Sequence, residues 1–123
     1  MPIAADELRV LLKGFNATTG AHMSAVVTRS GVPIAWALPE DVQVDNFATM
    51  AATLLGALEV IYSTIHEAAP EEAFVETKGG TLAIRVITPR MFFVALSGTA
   101  PGDLREPVAD AALHARSLLS KES

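Results

Sequence analysis

Residues 45–67 constrain this chain more than any other stretch, because their apolar surface is wider than contact with one sheet requires. Projected at about 100° per residue, Ala57, Met50, Ile61, Leu54, Phe47, Ile65, Leu58, Ala51, Tyr62 and Leu55 fall within one arc of roughly 160°. A surface helix packed on one layer shows a stripe of somewhat over about 100°. The surplus calls for a second covering. Thr49, Thr53, Gly56, Ser63 and Thr64 dominate the opposite arc, and the only charged side chains among these turns are Asp45, Glu59 and Glu67. Two arrangements satisfy this pattern. The helix is buried inside a monomer, or it packs on its own sheet and on a twin helix across a two-fold axis.

Composition sets the outer limits. With 123 residues the chain is read as a single domain, 1–123, whose core spans about 5–119. Half of the residues are hydrophobic and 19% are charged, a low charged share for a globular protein. No run approaches the roughly 18 to 20 consecutive apolar residues of a membrane span. The net charge is −5 and the nine Lys and Arg are scattered singly, so no basic stripe is available to neutralise phosphates, and nucleic acid is not expected as a partner. There is no cysteine, hence no disulfide framework and no thiolate metal site. The N-terminus lacks the basic and apolar regions of a secretory signal, and the chain is read as cytoplasmic.

Along the chain, Leu8, Leu11, Leu12 and Phe15 recur at helical spacing, with Gly14, Asn16 and Gly20 as nearby stop signals. Residues 23–29 and 33–38 are apolar, strand-like runs joined by Ser30, Gly31 and Val32, with Pro33 suited to a strand start or an edge. The long helix follows, capped by Asp45 or Asn46, running about 33 Å at roughly 1.5 Å per residue and closed by Ala68, Ala69 and Pro70. Residues 73–78, 81–88 and 91–97 form a meander with turns at Gly79-Gly80 and Pro89-Arg90. Leu82, Ile84 and Val86 point one way and Ala83 and Ile87 the other, so both sheet faces are expected to be mostly covered. After a loop over 98–102, Leu104, Val108, Ala111, Ala115 and Leu118 mark a last helix, with Pro107 near its first turn. Residues 121–123 and the first few residues are expected to fray.

Chemistry is sparse. Neither a phosphate-loop motif nor a dinucleotide fingerprint is present, and Ser97-Gly98 lacks the preceding glycine of a nucleophile elbow. His22, His66 and His114 fall on a loop, a helix end and a helix middle, with no two at ligand spacing. Glu71, Glu72 and Glu76 read as a solvated strand edge rather than an acid-base pair. Arg29, Arg85 and Arg90 carry no mark that separates an arginine finger from ordinary surface charge. Trp36 is an interface-type residue on the first hairpin, read here as packed under a helix. No catalytic, cofactor-binding or metal-binding residue is assigned.

The element order α-β-β-α-β-β-β-α, the run 21–35 with its Ser30-Gly31 turn, the helix 50–58 and the pattern Lys78-Gly79-Gly80-Thr81-Leu82-Ala83-Ile84-Arg85-Val86 together resemble the roadblock/dynein light chain family over about residues 5–119. Longin-like and profilin-like folds share the layers in different arrangements. The resemblance implies an α+β fold: a five-stranded antiparallel sheet with the long helix on one face and the terminal helices on the other. It also implies a homodimer or heterodimer with long helices side by side and sheets joined edge to edge. Met50, Leu54, Ala57, Leu58 and Ile61 would then lie at the helix pair, and Phe74, Val75, Glu76 and Thr77 at the strand joint. Whether the Met50–Ala57 flank or the Leu55–Tyr62 flank faces the partner is left open.

Family members bind or scaffold other proteins, notably small Ras-like GTPases, so the resemblance implies a non-enzymatic dimeric scaffold or regulator with a GTPase as partner. Two alternatives stand beside it. A small-ligand sensor would need a pocket of about 300 Å³ or more with convergent polar groups. A structural subunit of a larger complex would need only the interface. An enzyme with its site between subunits would need no local motif and is the reading given least weight.

Overall fold

The computed structural model describes residues 3–120, and the termini expected to fray, 1–2 and 121–123, lie outside them. The elements run α1 (Ile3–Thr19), β1 (Ala21–Thr28), β2 (Pro33–Ala37), α2 (Val44–Thr64), β3 (Glu72–Thr77), β4 (Gly80–Thr88), β5 (Met91–Ser97) and α3 (Pro101–Ser120). Every strand pair is antiparallel and the sheet order is β2-β1-β5-β4-β3, so the first hairpin and β3 form opposite edges.

The period-2 alternation divides the core into two layers, as the sequence pattern predicts. Val26, Ala35, Ala83, Ile87, Phe93 and Ala95 face α1 and α3, meeting Leu8, Leu12, Phe15, Leu104, Val108 and Ala115. Phe15 and Phe93 make an edge-to-face contact with centroids 4.9 Å apart. On the other face Ala25, Val27, Ile84, Phe92 and Val94 meet Ala48, Ala51 and Leu55 of α2. Leu82 and Val86 pack beside them, on the face expected.

Several local expectations are corrected. Gly14 and Asn16 do not stop α1. They lie inside it, and Asn16 turns its side chain inward, accepting from Ser24 Oγ at 2.8 Å and donating to the Ala37 carbonyl at 3.2 Å. β1 begins at Ala21, which places His22 on a strand rather than a loop. The β3–β4 turn is Lys78-Gly79, with Gly80 already in β4. α3 starts at Pro101 and takes Pro107 into its second turn, where the missing N–H costs a helical hydrogen bond. The segment before it is fastened instead by Thr99, whose Oγ1 donates to the Thr19 carbonyl at 2.9 Å while its own carbonyl accepts from Thr81 Oγ1 at 2.8 Å.

The long helix also differs at both ends. Gln43 is its N-cap and makes no side-chain capping bond, so neither Asp45 nor Asn46 fills that place. It ends at Thr64 because His66 adopts a left-handed conformation (φ 59°). The Glu67 N–H then reaches the Tyr62 carbonyl at 2.9 Å and the His66 N–H the Ser63 carbonyl at 3.1 Å, a Schellman closure. Pro70 plays no part in that stop.

Candidate functional site

α2 sits over β1, β5 and the near side of β4, and its position is set from the hairpin side. Gly31, in the β1–β2 turn with φ 94°, is buried so close to α2 that a Cβ there would stand 3.2 Å from the Thr49 Cα. Arg29, just beyond β1, forms an ion pair with Glu59 further along the same flank of α2. It also donates to the Pro89 carbonyl at 3.4 Å. The helix is thus held by one flank and by Ala48, Ala51 and Leu55 beneath it. Its other flank is free.

That free flank carries the apolar surplus. Met50 is 63% exposed and Ile61 56%, Ala57 is exposed between them, and Leu54 is half-buried against the sheet. Leu58 is also half-buried, turned more toward the sheet than Ile61. Leu55 is buried on its own sheet, so of the two flanks left open by the sequence the one with Met50 and Ala57 is uncovered. The last turns extend past the core: Val60, Ile61, Tyr62 and Ile65 are all exposed, although Tyr62 and Ile65 belong to the arc read as apolar-facing.

The sheet beside this flank is also bare. β3 is an edge strand, so one row of its backbone N–H and C=O groups has no partner strand. By register with Ile84 and Leu82, Ala73 and Val75 face the α2 side, where α2 does not reach them and Val75 is 44% exposed. Both sheet faces are therefore not covered equally: the β3 end of the α2 face is open. Glu76 and Thr77 are exposed. Phe74 differs from the other strand residues, because it points to the α1–α3 face and packs there beneath the Arg105 guanidinium, 5.4 Å from its ring centroid.

Glu72, read as part of a solvated edge, accepts from Arg85 at 3.0 Å and from Arg105 at 3.4 Å. Trp36 pairs with Ala25 and so faces the α2 side of the sheet. It lies on β2, the opposite edge, and is 40% exposed. Among the described residues no group of three His, Asp or Glu is placed to hold a metal ion. By length and composition α2 is apolar enough to cross a membrane, yet Ala48, Ala51 and Leu55 pack it along the sheet and Arg29 pairs with its Glu59.

Met50 to Ile61 thus leave an exposed apolar strip on the helix, and Val75 with the unpaired edge of β3 is exposed on the same side of the sheet. No curated protein matches the sequence. Solved structures do match the fold. Gliding protein MglB from Thermus thermophilus superposes with a TM-score of 0.87 at 18% identity, over 98% of this chain and 94% of that one. Myxococcus xanthus MglB gives 0.87 at 16% identity over 94% and 90%. A Roadblock/LC7 domain from Streptomyces avermitilis gives 0.82 at 14% identity over 91% and 97%. The Roadblock/LC7 domain family itself matches residues 7–97, from α1 to the end of β5, and the chain belongs to that family.

Proposed function

We propose that this protein is a non-enzymatic, homodimeric scaffold or regulator that binds a small Ras-like GTPase in the cytoplasm. The observation that carries the dimer is the bare Met50–Leu54–Ala57–Ile61 flank lying next to the open edge of β3. A two-fold axis beside β3 would cover both at once. Strand β3 of each copy would complete the other's backbone hydrogen bonding, and the two α2 helices would bury each other's flanks. Leu58 supports the helix from the sheet side, Val75 joins the apolar strip, and Phe74, Glu76 and Thr77 contribute through the strand they belong to rather than all through their side chains.

The GTPase part rests on family membership, since the resemblance implies that roadblock proteins bind or scaffold such partners. In this reading the partner carries the nucleotide and the chemistry, and this chain supplies a paired surface. Affinity capture from native lysate with GDP and with a non-hydrolysable GTP analogue tests it. A Ras-like GTPase retained in one nucleotide state is the expected result. Recovery of the chain's own copies alone would leave the dimer and remove the GTPase.

A further inference from the structure

A cavity of about 360 Å³ lies on the layer opposite α2, between the second half of β4 and the flank of α3 that carries Ala109, Ala112 and Arg116. Small residues on that flank keep the helix from filling the space. Ile87, Ala112 and Leu113 give it apolar walls, and Arg85 and Arg116 stand in its lining. Among the described residues Glu71 is the one acidic residue in the lining, so their two positive charges and one negative leave it at +1 in a chain of net charge −5.

The two arginines are differently held. Arg85 donates through one Nη to Glu72, which itself also takes Arg105, so the guanidinium is fixed at one edge and keeps N–H groups to spare. Arg116, one turn before the end of α3, has no ion pair among the described residues. A guanidinium fork matches the paired oxygens of a carboxylate, and the volume falls at the small end of the roughly 300–1,000 Å³ of small-molecule sites.

The geometry points to a binding site for a small amphiphilic monoanion: a carboxylate head between Arg85 and Arg116, and a short aliphatic body against Ile87, Ala112 and Leu113. The +1 lining balances one negative charge, which favours a carboxylate over a dianionic phosphate. The site does not depend on the pairing of α2 or on a GTPase, and its test reads out separately from theirs.

Amide correlation spectra of the full chain titrated with sodium hexanoate test the site, with hexanol and inorganic phosphate as comparison probes. Hexanoate is expected to give saturable shifts at residues 86–87 and 112–116, exceeding those from either comparison probe. Arg116→Gln, at an exposed position, should weaken hexanoate by about tenfold or more while leaving the melting temperature unchanged. Ala109→Leu should occupy the cavity and abolish the shifts in a folded chain. Absence of saturable shifts, an equal response to hexanol or to phosphate, or an affinity unchanged in Arg116→Gln would overturn the assignment.

Discussion

A Cβ at Gly80 would overlap the carbonyl oxygen of Ser97 and stand 2.9 Å from its carbon, across the β4–β5 pair. Gly80 also has φ 149°, a conformation L side chains rarely adopt. Relief must therefore come from moving backbone at the open end of the sheet. Gly80→Ala is expected to cost about 3 kcal/mol in urea unfolding, whereas Gly79→Ala, with open space at its Cβ, should cost much less.

Ser24 is fully buried on β1, and Asn16 accepts its hydroxyl hydrogen while holding the Ala37 carbonyl of β2. Removing the amide strands polar groups of two strands beneath α1. Asn16→Ala should lose about 1–3 kcal/mol by chemical denaturation, and adding Ser24→Ala should recover part of that loss.

Arg29 and Glu59 pair with side chains each 28% exposed, joining the first hairpin to α2. Partial exposure limits the gain to the usual range for surface ion pairs. A double-mutant cycle through Arg29→Ala and Glu59→Ala should give a coupling of about 0.5–1 kcal/mol, smaller at high salt. A coupling near zero at low salt would mean that Gly31 and the helix underside position α2 without help.

Element order and facing were legible in the sequence because burial leaves a periodic trace. Leu82, Ile84 and Val86 against Ala83 and Ile87 is a period of two, and Leu104, Val108, Ala111 and Ala115 is a helical one. Features that depend on a single local bond left no such trace. His66 has a side chain that gives no warning of the left-handed turn, and Gln43 caps without using its side chain. Asn16 carries the composition of a stop signal and serves as a tertiary anchor. The candidate site was half legible. The excess apolar width of α2 stood out, but the choice of flank depends on where Gly31 and Arg29 hold the helix on the sheet, a contact between segments distant in the chain. Phe74 and Val75 were grouped together by strand, and the alternation of the strand separates them.

Ile61 and Ser63 lie about 160° apart around α2, and both are exposed in the single chain, so an aspartate at either position should leave the fold intact. Leu58→Asp is less discriminating, because that half-buried side chain should split the dimer or unfold the subunit. Sedimentation velocity at tens of micromolar on the wild type, Ile61→Asp and Ser63→Asp separates association from folding. The expected masses are twice 12.9 kDa for the wild type and for Ser63→Asp, and 12.9 kDa for Ile61→Asp with unchanged circular dichroism. A monomeric wild type, or an Ile61→Asp variant that still sediments as a dimer, would contradict pairing through the free flank of α2.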